Sequence, residues 1–260
     1  MSNVRTDSDW IRRYHPSEKA AIRLVCFPHA GGSASYFRDI SVALAPEVEG
    51  LAVQYPGRQD RRSEPPLRSI EELARGAASA IAPWTDRPLA LFGHSMGAMV
   101  AFEVSASLAR DGIAPSVLFL SGRRAPSRVR KENVRLRDDA GIMAELRRLG
   151  GTDDALMEDE ELWQMVLPAL RADYHAVETY RPRPGAVLDC PIVALVGDTD
   201  PRTTVDEARA WSEHTTGPFD MKVFQGGHFY LNAQVPAVLD VVRTRLHSLG
   251  SRVTPPETAA

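Results

Sequence analysis

Leu89-Ala-Leu-Phe-Gly93-His94-Ser95-Met96-Gly97-Ala98 reads as an apolar strand that turns through Gly-x-Ser-x-Gly and runs directly into a helix. A turn that tight crowds the side chains around the serine, and the flanking glycines remove them. The serine oxygen is lifted above the end of the strand, at the N-terminus of the following helix. Unpaired N–H groups and the helix dipole there favour developing negative charge. Strand, turn and helix in immediate succession separate this segment from a chance Gly-x-Ser-x-Gly in a loop. Ser95 is therefore the candidate nucleophile.

Outward from that turn, short apolar runs alternate with amphipathic segments. Ile22–Phe27, Gly50–Gln54, Leu89–Phe92, Val117–Leu120, Ile192–Val196 and Phe219–Phe224 are the expected strands. Ser35–Leu44, Ile70–Ile81, Met96–Arg110, Thr204–His214 and Val235–Leu249 are the expected helices. Near-continuous apolar strands separated by helices predict an α/β fold with a mostly parallel sheet covered on both faces. Right-handed crossovers make that sheet open and doubly wound.

From about Arg124 to Arg183 the rhythm fails. No strand pattern occurs there, and Gly141–Leu149 and Asp159–Tyr174 read as helices. In the second, Leu162, Met165, Val166 and Leu170 fall at helical spacing, and Pro168 marks a point of kinking or splitting. An all-helical insertion between two core strands reads as a lid; an ordinary helical layer of the main domain is the plainer alternative. The expected organisation is a flexible tail over residues 1–20, a main domain over 21–250 with the insertion at about 124–183, and a flexible tail over 251–260.

A chain of 260 residues accommodates one α/β domain of this kind. A formal net charge of -3 is too mild to call for nucleic acid or an anionic membrane as a partner. No run approaches the roughly 18 apolar residues of a membrane span. Met1 to His15 lacks the apolar centre of a signal peptide, which predicts a cytoplasmic protein. Cys26 and Cys190 stand far apart with no CxxC or His-x-x-x-His spacing nearby, so they read as buried thiols rather than disulfide partners or metal ligands.

A serine hydroxyl needs a base, and in this fold the chain order is serine, acid, histidine. Of the seven histidines, His228 lies in Gln225-Gly-Gly-His-Phe-Tyr just after the last apolar strand, where a tight loop can return the ring to Ser95. His29 precedes the serine, His94 should point away from the site, His15 lies in the tail and His175 in the insertion. His214 and His247 fall near helix ends and read as surface groups. The acid should follow Ile192–Val196, where Gly197-Asp-Thr-Asp-Pro201 offers Asp198 and Asp200. Asp200, nearer the loop tip, is favoured as the group that orients the imidazole, with Asp198 shaping the turn. An oxyanion hole would use the Met96 N–H and a second N–H from Pro28-His-Ala-Gly-Gly32, whose glycines let backbone approach a substrate oxygen.

These segments carry a family resemblance. Cys26-Phe-Pro-His-Ala-Gly-Gly-Ser33, Val53-Gln-Tyr-Pro-Gly-Arg-Gln-Asp-Arg61, Gly93-His-Ser-Met-Gly97, Gly197-Asp-Thr-Asp-Pro201 and Gly226-Gly-His-Phe-Tyr-Leu231 resemble the stand-alone type II thioesterases of polyketide and non-ribosomal peptide pathways. The likeness runs from about Arg23 to Leu249 and implies the α/β-hydrolase fold. It also implies a triad of Ser95, Asp200 and His228, and an oxyanion hole of Ala30 and Met96. It further implies hydrolysis of stalled or wrongly primed acyl groups from the phosphopantetheine arm of an acyl or peptidyl carrier protein, met transiently. The insertion matches the family's helical lid. No metal or cofactor is implied, since the phosphopantetheine belongs to the carrier. A monomer is the expected state.

A carboxylesterase or a cyclising acyltransferase on the same scaffold would share the chemistry and differ in pocket and acyl acceptor. A binding module that keeps only the fold is at odds with a serine, an acid, a histidine and both glycine-rich loops together. The basic residues Arg123, Arg124, Arg128, Arg130 and Lys131, with Arg58, Arg61 and Arg62, read either as a solvated face or as a rim that steers an acidic carrier.

Overall fold

Apolar runs too short and too hydrophobic to face water hide by pairing with one another and being covered by helices. In the computed structural model, which describes residues 9–151, 157–183 and 185–250, this produces one seven-stranded sheet. Its strands are β1 (Ile11–Arg12), β2 (Ile22–Phe27), β3 (Val48–Val53), β4 (Leu89–His94), β5 (Val117–Ser121), β6 (Ile192–Gly197) and β7 (Phe219–Phe224), in the order β1-β3-β2-β4-β5-β6-β7. All neighbours run parallel except β1, which lies antiparallel along the edge of β3. The strands from β2 to β6 are buried along their whole length, which is why they carry no polar alternation. β7, at the far edge, alternates.

The helices are α1 (Arg38–Leu44), α2 (Ile70–Ile81), α3 (Met96–Arg110), α4 (Asp139–Leu149), α5 (Glu160–Thr179), α6 (Val205–Arg209), α7 (Tyr230–Ala233) and α8 (Val235–Gly250). Successive strand residues point to opposite faces, so each strand feeds two cores. On one face Val25, Phe27, Leu91 and Leu118 pack against α2 and α3. On the other, Leu24, Cys26, Phe92 and Phe119 pack against Phe37, Leu44, Val238 and Val242 of the α1 and α8 layer. This is the doubly wound arrangement expected. Among the described residues no helix is long and apolar enough to cross a membrane.

One charge sits inside the sheet. Arg23, 1% exposed, lies beside Glu49 in the β2–β3 register and donates from Nε to its Oε2 at 3.0 Å. An ion in that position is tolerable only when paired.

Two expectations are corrected. Residues 9–20, expected within a loose tail, are anchored: Ile11 is buried and pairs with Val53, and the Gln54 N–H donates to the Trp10 carbonyl at 2.8 Å. A two-residue strand is too short for any periodicity to reveal it. Residues 1–8 and the tail expected at 251–260 lie outside the described residues. Secondly, Pro168 does not split its helix: α5 runs unbroken through it.

The helices inserted between β5 and β6 serve two cores. Val134, Ile142, Leu146, Trp163, Leu167 and Leu170 form a separate apolar cluster. Further along the same helix, Ala176 and Val177 join the main core. The insertion therefore has an apolar cluster of its own and also packs into the main core.

Candidate active site

The turn between β4 and α3 forces Ser95 to φ 55° and ψ −116°, a left-handed backbone that a side chain adopts only under surrounding constraint. That constraint comes from close backbone packing. A Cβ on Gly93 would sit 2.2 Å from the Gly97 carbonyl oxygen, and one on Gly97 would sit 2.0 Å from that of Phe27. The Ser95 N–H donates to the Ser121 carbonyl at 2.8 Å, tying the turn to the end of β5.

His228 arrives from the loop after β7 and is 3% exposed. Its Nε2 lies 2.9 Å from Ser95 Oγ, and its Nδ1 lies 3.0 and 2.9 Å from the two oxygens of Asp200. A carboxylate against Nδ1 places the proton there and leaves Nε2 free to accept from the serine hydroxyl. Asp200 is in turn held by the Arg202 N–H, which donates to its Oδ1 at 2.7 Å. Asp198, the competing acid, is exposed and does not reach His228; its Oδ1 accepts from the Gly226 N–H at 2.9 Å and fastens the histidine loop to the end of β6.

Ala30 and Met96 line the same cleft as Ser95 and His228. Met96 is the first residue of α3, whose opening N–H groups have no intrahelical acceptor. Ala30 lies in a turn closed by the Gly32 N–H donating to the His29 carbonyl at 2.9 Å. Gly31 has φ +76°, the left-handed value that the third position of a type II turn requires. The structure thus brings Ser95, His228, Ala30 and Met96 around one opening, with Asp200 buried behind the imidazole.

Three other histidines are held by packing and hydrogen bonds. His94 is fully buried, with Nδ1 2.9 Å from Ser121 Oγ, which is itself 2.7 Å from the Tyr230 hydroxyl. His29 packs edge-on against Tyr36 and Phe229, with ring centroids at 4.7 and 4.8 Å. His214, expected at the surface, is instead buried: its Nδ1 lies 2.9 Å from the Ala186 carbonyl and its Nε2 3.1 Å from Ser127 Oγ. A histidine near a short helix end looks exposed in sequence because the loops that cover it come from elsewhere.

Burial pushes His29 down to about 3, assisted by the nearby His228 and Arg58, and burial pushes His94 well below its ordinary range as well. In the unfolded chain each returns to about 6.5. Below that pH the unfolded state takes up protons that the folded state refuses. The stability from keeping these rings neutral is therefore complete above about 6.5 and is lost progressively as pH falls toward about 3. Urea unfolding is expected to give a lower stability at pH 5 than at pH 7.5, and His29→Phe should narrow that gap.

The cleft is roofed by Leu146, Leu149, Tyr174 and Val177 from α4 and α5, and its wall carries Arg123, Glu132 and Arg202. The basic run largely neutralises itself. Arg124 pairs with Glu132 at 2.5 Å, Arg130 with Glu207 at 2.6 Å, and Arg128 with Glu213. Arg58, Arg61, Arg123 and Arg124 are all buried. Most of the residues that suggested a steering rim are therefore internal or paired; Arg62, Arg128, Arg130 and Lys131 are exposed, two of them in ion pairs. Cys26 and Cys190 are buried free thiols, and burial raises both, Cys190 to about 12. Among the described residues, no three His, Cys, Asp or Glu side chains converge on a point that could hold a metal ion.

Set against known proteins, residues 22–246 match the family model of the thioesterase domain. The chain is 55% identical over 227 residues to the thioesterase PikA5 of Streptomyces venezuelae, covering 86% of this chain and 81% of that protein. It is 50% identical over 242 residues to a probable cadicidin biosynthesis thioesterase of Streptomyces griseus, covering 93% and 67%. Among solved structures, the type II thioesterase BorB from the borrelidin biosynthetic cluster superposes with a TM-score of 0.87 at 50% identity, covering 93% of this chain and 99% of that one. The RedJ thioesterase of the prodiginine pathway in Streptomyces coelicolor follows at 0.84 and 39%, covering 89% and 93%.

Proposed function

The chain belongs to the thioesterase-domain family, and from that premise we propose that it is a type II thioesterase clearing acyl groups from the phosphopantetheine arm of acyl or peptidyl carrier proteins. The observation that carries the site assignment is the unbroken relay from Ser95 Oγ through His228 to Asp200, with every link between 2.9 and 3.0 Å.

In the proposed reaction His228 Nε2 takes the Ser95 proton as Oγ attacks the thioester carbonyl carbon. The oxygen that becomes negative is met by the Ala30 and Met96 N–H groups. The tetrahedral adduct collapses, the carbon–sulfur bond breaks, and the proton on Nε2 passes to the departing pantetheine thiolate. Water then enters, gives a proton to Nε2 and attacks the acyl-serine ester. A second collapse releases the acid and returns the proton to Ser95. Asp200 keeps the imidazole in one tautomer and stabilises its charge in both halves. No step calls for a metal or cofactor; phosphopantetheine enters as part of the substrate. The enzyme acts as a cytoplasmic monomer that meets the carrier transiently, and the helical insertion over the cleft serves as its lid and shapes the acyl pocket.

A carrier protein loaded with acetyl- or propionyl-phosphopantetheine, followed by intact mass, tests this reading. Acid release from the carrier is expected to exceed turnover of a p-nitrophenyl ester of the same acyl group. Ester turnover with the loaded carrier untouched would assign the chain to carboxylesterase chemistry, and a cyclic product from a linear acyl substrate would assign it to acyl transfer.

A further inference from the structure

Tyr55-Pro56-Gly57-Arg58 supplies no group to the relay, yet its arginine is 6% exposed and reaches the loop that carries Ala30. Arg58 Nη1 donates to Asp173 Oδ2 at 2.7 Å and Nη2 donates to Asp173 Oδ1 at 3.0 Å. Nη1 also lies 3.2 Å from the Gly32 carbonyl oxygen. Asp173 belongs to the inserted helix α5 and has no exposed surface. Its Oδ2 accepts a further hydrogen bond, from the Gly31 N–H at 2.8 Å. One turn earlier on the same helix, Leu170 leans on the same residue, since a Cβ on Gly31 would meet Leu170 Cδ1 at 2.8 Å.

We propose that Asp173 is a positioning residue: from the inserted helix it fixes the His29–Gly32 turn that aims the Ala30 N–H, so that the oxyanion hole is complete only while that helix rests on the loop. This rests on the assignment of Ala30 as an oxyanion donor. The geometry runs through two peptide planes. In a trans peptide the carbonyl and the N–H point in opposite directions. The His29 carbonyl is turned inward by the Gly32 N–H at 2.9 Å, which sends the Ala30 N–H of the same peptide outward. That turn bond holds only if Gly31 and Gly32 stay in register, and Asp173 grips the first while Arg58 grips the second. A hydrogen bond to a charged group is stronger than a neutral one, and the bidentate pair fixes direction as well as distance. Lid closure and electrophilic activation then become a single event. A helix displaced from the loop leaves Ser95 and His228 intact but takes away the support that aims one oxyanion donor.

The rival account is that the pair only staples the insertion to the domain. Removing one partner of a buried pair strands the other charge, whereas removing both with residues of similar volume is tolerated. Two double variants therefore separate the accounts: Arg58→Met/Asp173→Asn and Arg58→Met/Asp173→Leu. Both lack the ion pair, and only the first leaves residue 173 an acceptor for the Gly31 N–H. Active sites are counted with a saturating fluorophosphonate, and kcat and KM are measured on acetyl-N-acetylcysteamine beside wild type and Ser95→Ala.

A donor that acts in the transition state moves kcat and leaves KM nearly still. The asparagine variant is expected to turn over at least about tenfold faster per labelled site than the leucine variant, with KM agreeing within about threefold. Equal kcat in the two would overturn the proposal and leave Asp173 a structural staple. Leu170→Ala, which keeps both charges and only loosens the helix on Gly31, supplies a second arm: a several-fold fall in kcat is expected, and a change confined to KM counts against the proposal. Undiminished turnover by Ser95→Ala would instead sink the assignment of the nucleophile, independently of the clamp.

Discussion

Ser95→Ala is expected to lower kcat on acyl thioesters by about a millionfold, the scale seen when the nucleophile of such a relay is removed. The remaining rate comes from the oxyanion donors and substrate binding acting on water. The fold should be untouched. Alanine meets the same backbone constraint at φ 55° as serine does, and the lost hydrogen bond to His228 faces the cleft, where water can replace it. Thermal unfolding should therefore shift by no more than about 1 kcal/mol in equivalent stability. Active-site labelling, steady-state turnover and a melt on one preparation check all three statements. Full labelling of the alanine variant would place the nucleophile elsewhere.

Asp200→Asn is expected to cost about 10⁴-fold in kcat with little change in structure. The asparagine oxygen can keep the Arg202 N–H, now 2.7 Å from Asp200 Oδ1. Its amide nitrogen then faces His228 Nδ1 as a donor. The imidazole responds by moving its proton to Nε2, which turns a donor toward Ser95 and abolishes the base. Asp198→Asn makes a sharp control, because that side chain only accepts from the Gly226 N–H at 2.9 Å and an amide oxygen can do the same. A loss there comparable with that of Asp200→Asn would contradict the roles assigned to the two aspartates. The measurement is kcat for both variants on one thioester, with KM in parallel.

The parts of this molecule legible in its sequence are those governed by neighbours along the chain. The turn at Ser95 announces itself because strand, glycines and helix are contiguous, and the buried strands do so because both of their faces are apolar. His228 and Asp200 follow because each sits directly after a strand, where the fold gathers its loops. What stayed hidden depends on residues far apart in the chain. Asp173 and Arg58 are 115 positions apart, and neither has a local pattern that calls for the other. Arg128 and Arg130 look like an open basic run until Glu213 and Glu207, 85 and 77 positions away, fold against them. The strand at Ile11–Arg12 is held by its partner's register rather than by any pattern of its own.

That short first strand has a consequence for how the molecule behaves in a crowd. An open sheet has two margins, and each offers unpaired backbone to any passing strand. Along β3 the margin is covered by a strand of only two residues running the opposite way, too short to template another chain. Along β7 the outer surface carries Asp220 and Lys222, exposed charges that a docking strand would have to desolvate. The two margins resist self-association by different means, one by brevity and one by charge. Shortening the chain past Arg12 would remove the first defence and bare the β3 edge at Ala52 and Val53, opening unpaired backbone to a passing strand at a place far in sequence from Ser95, Asp200 and His228.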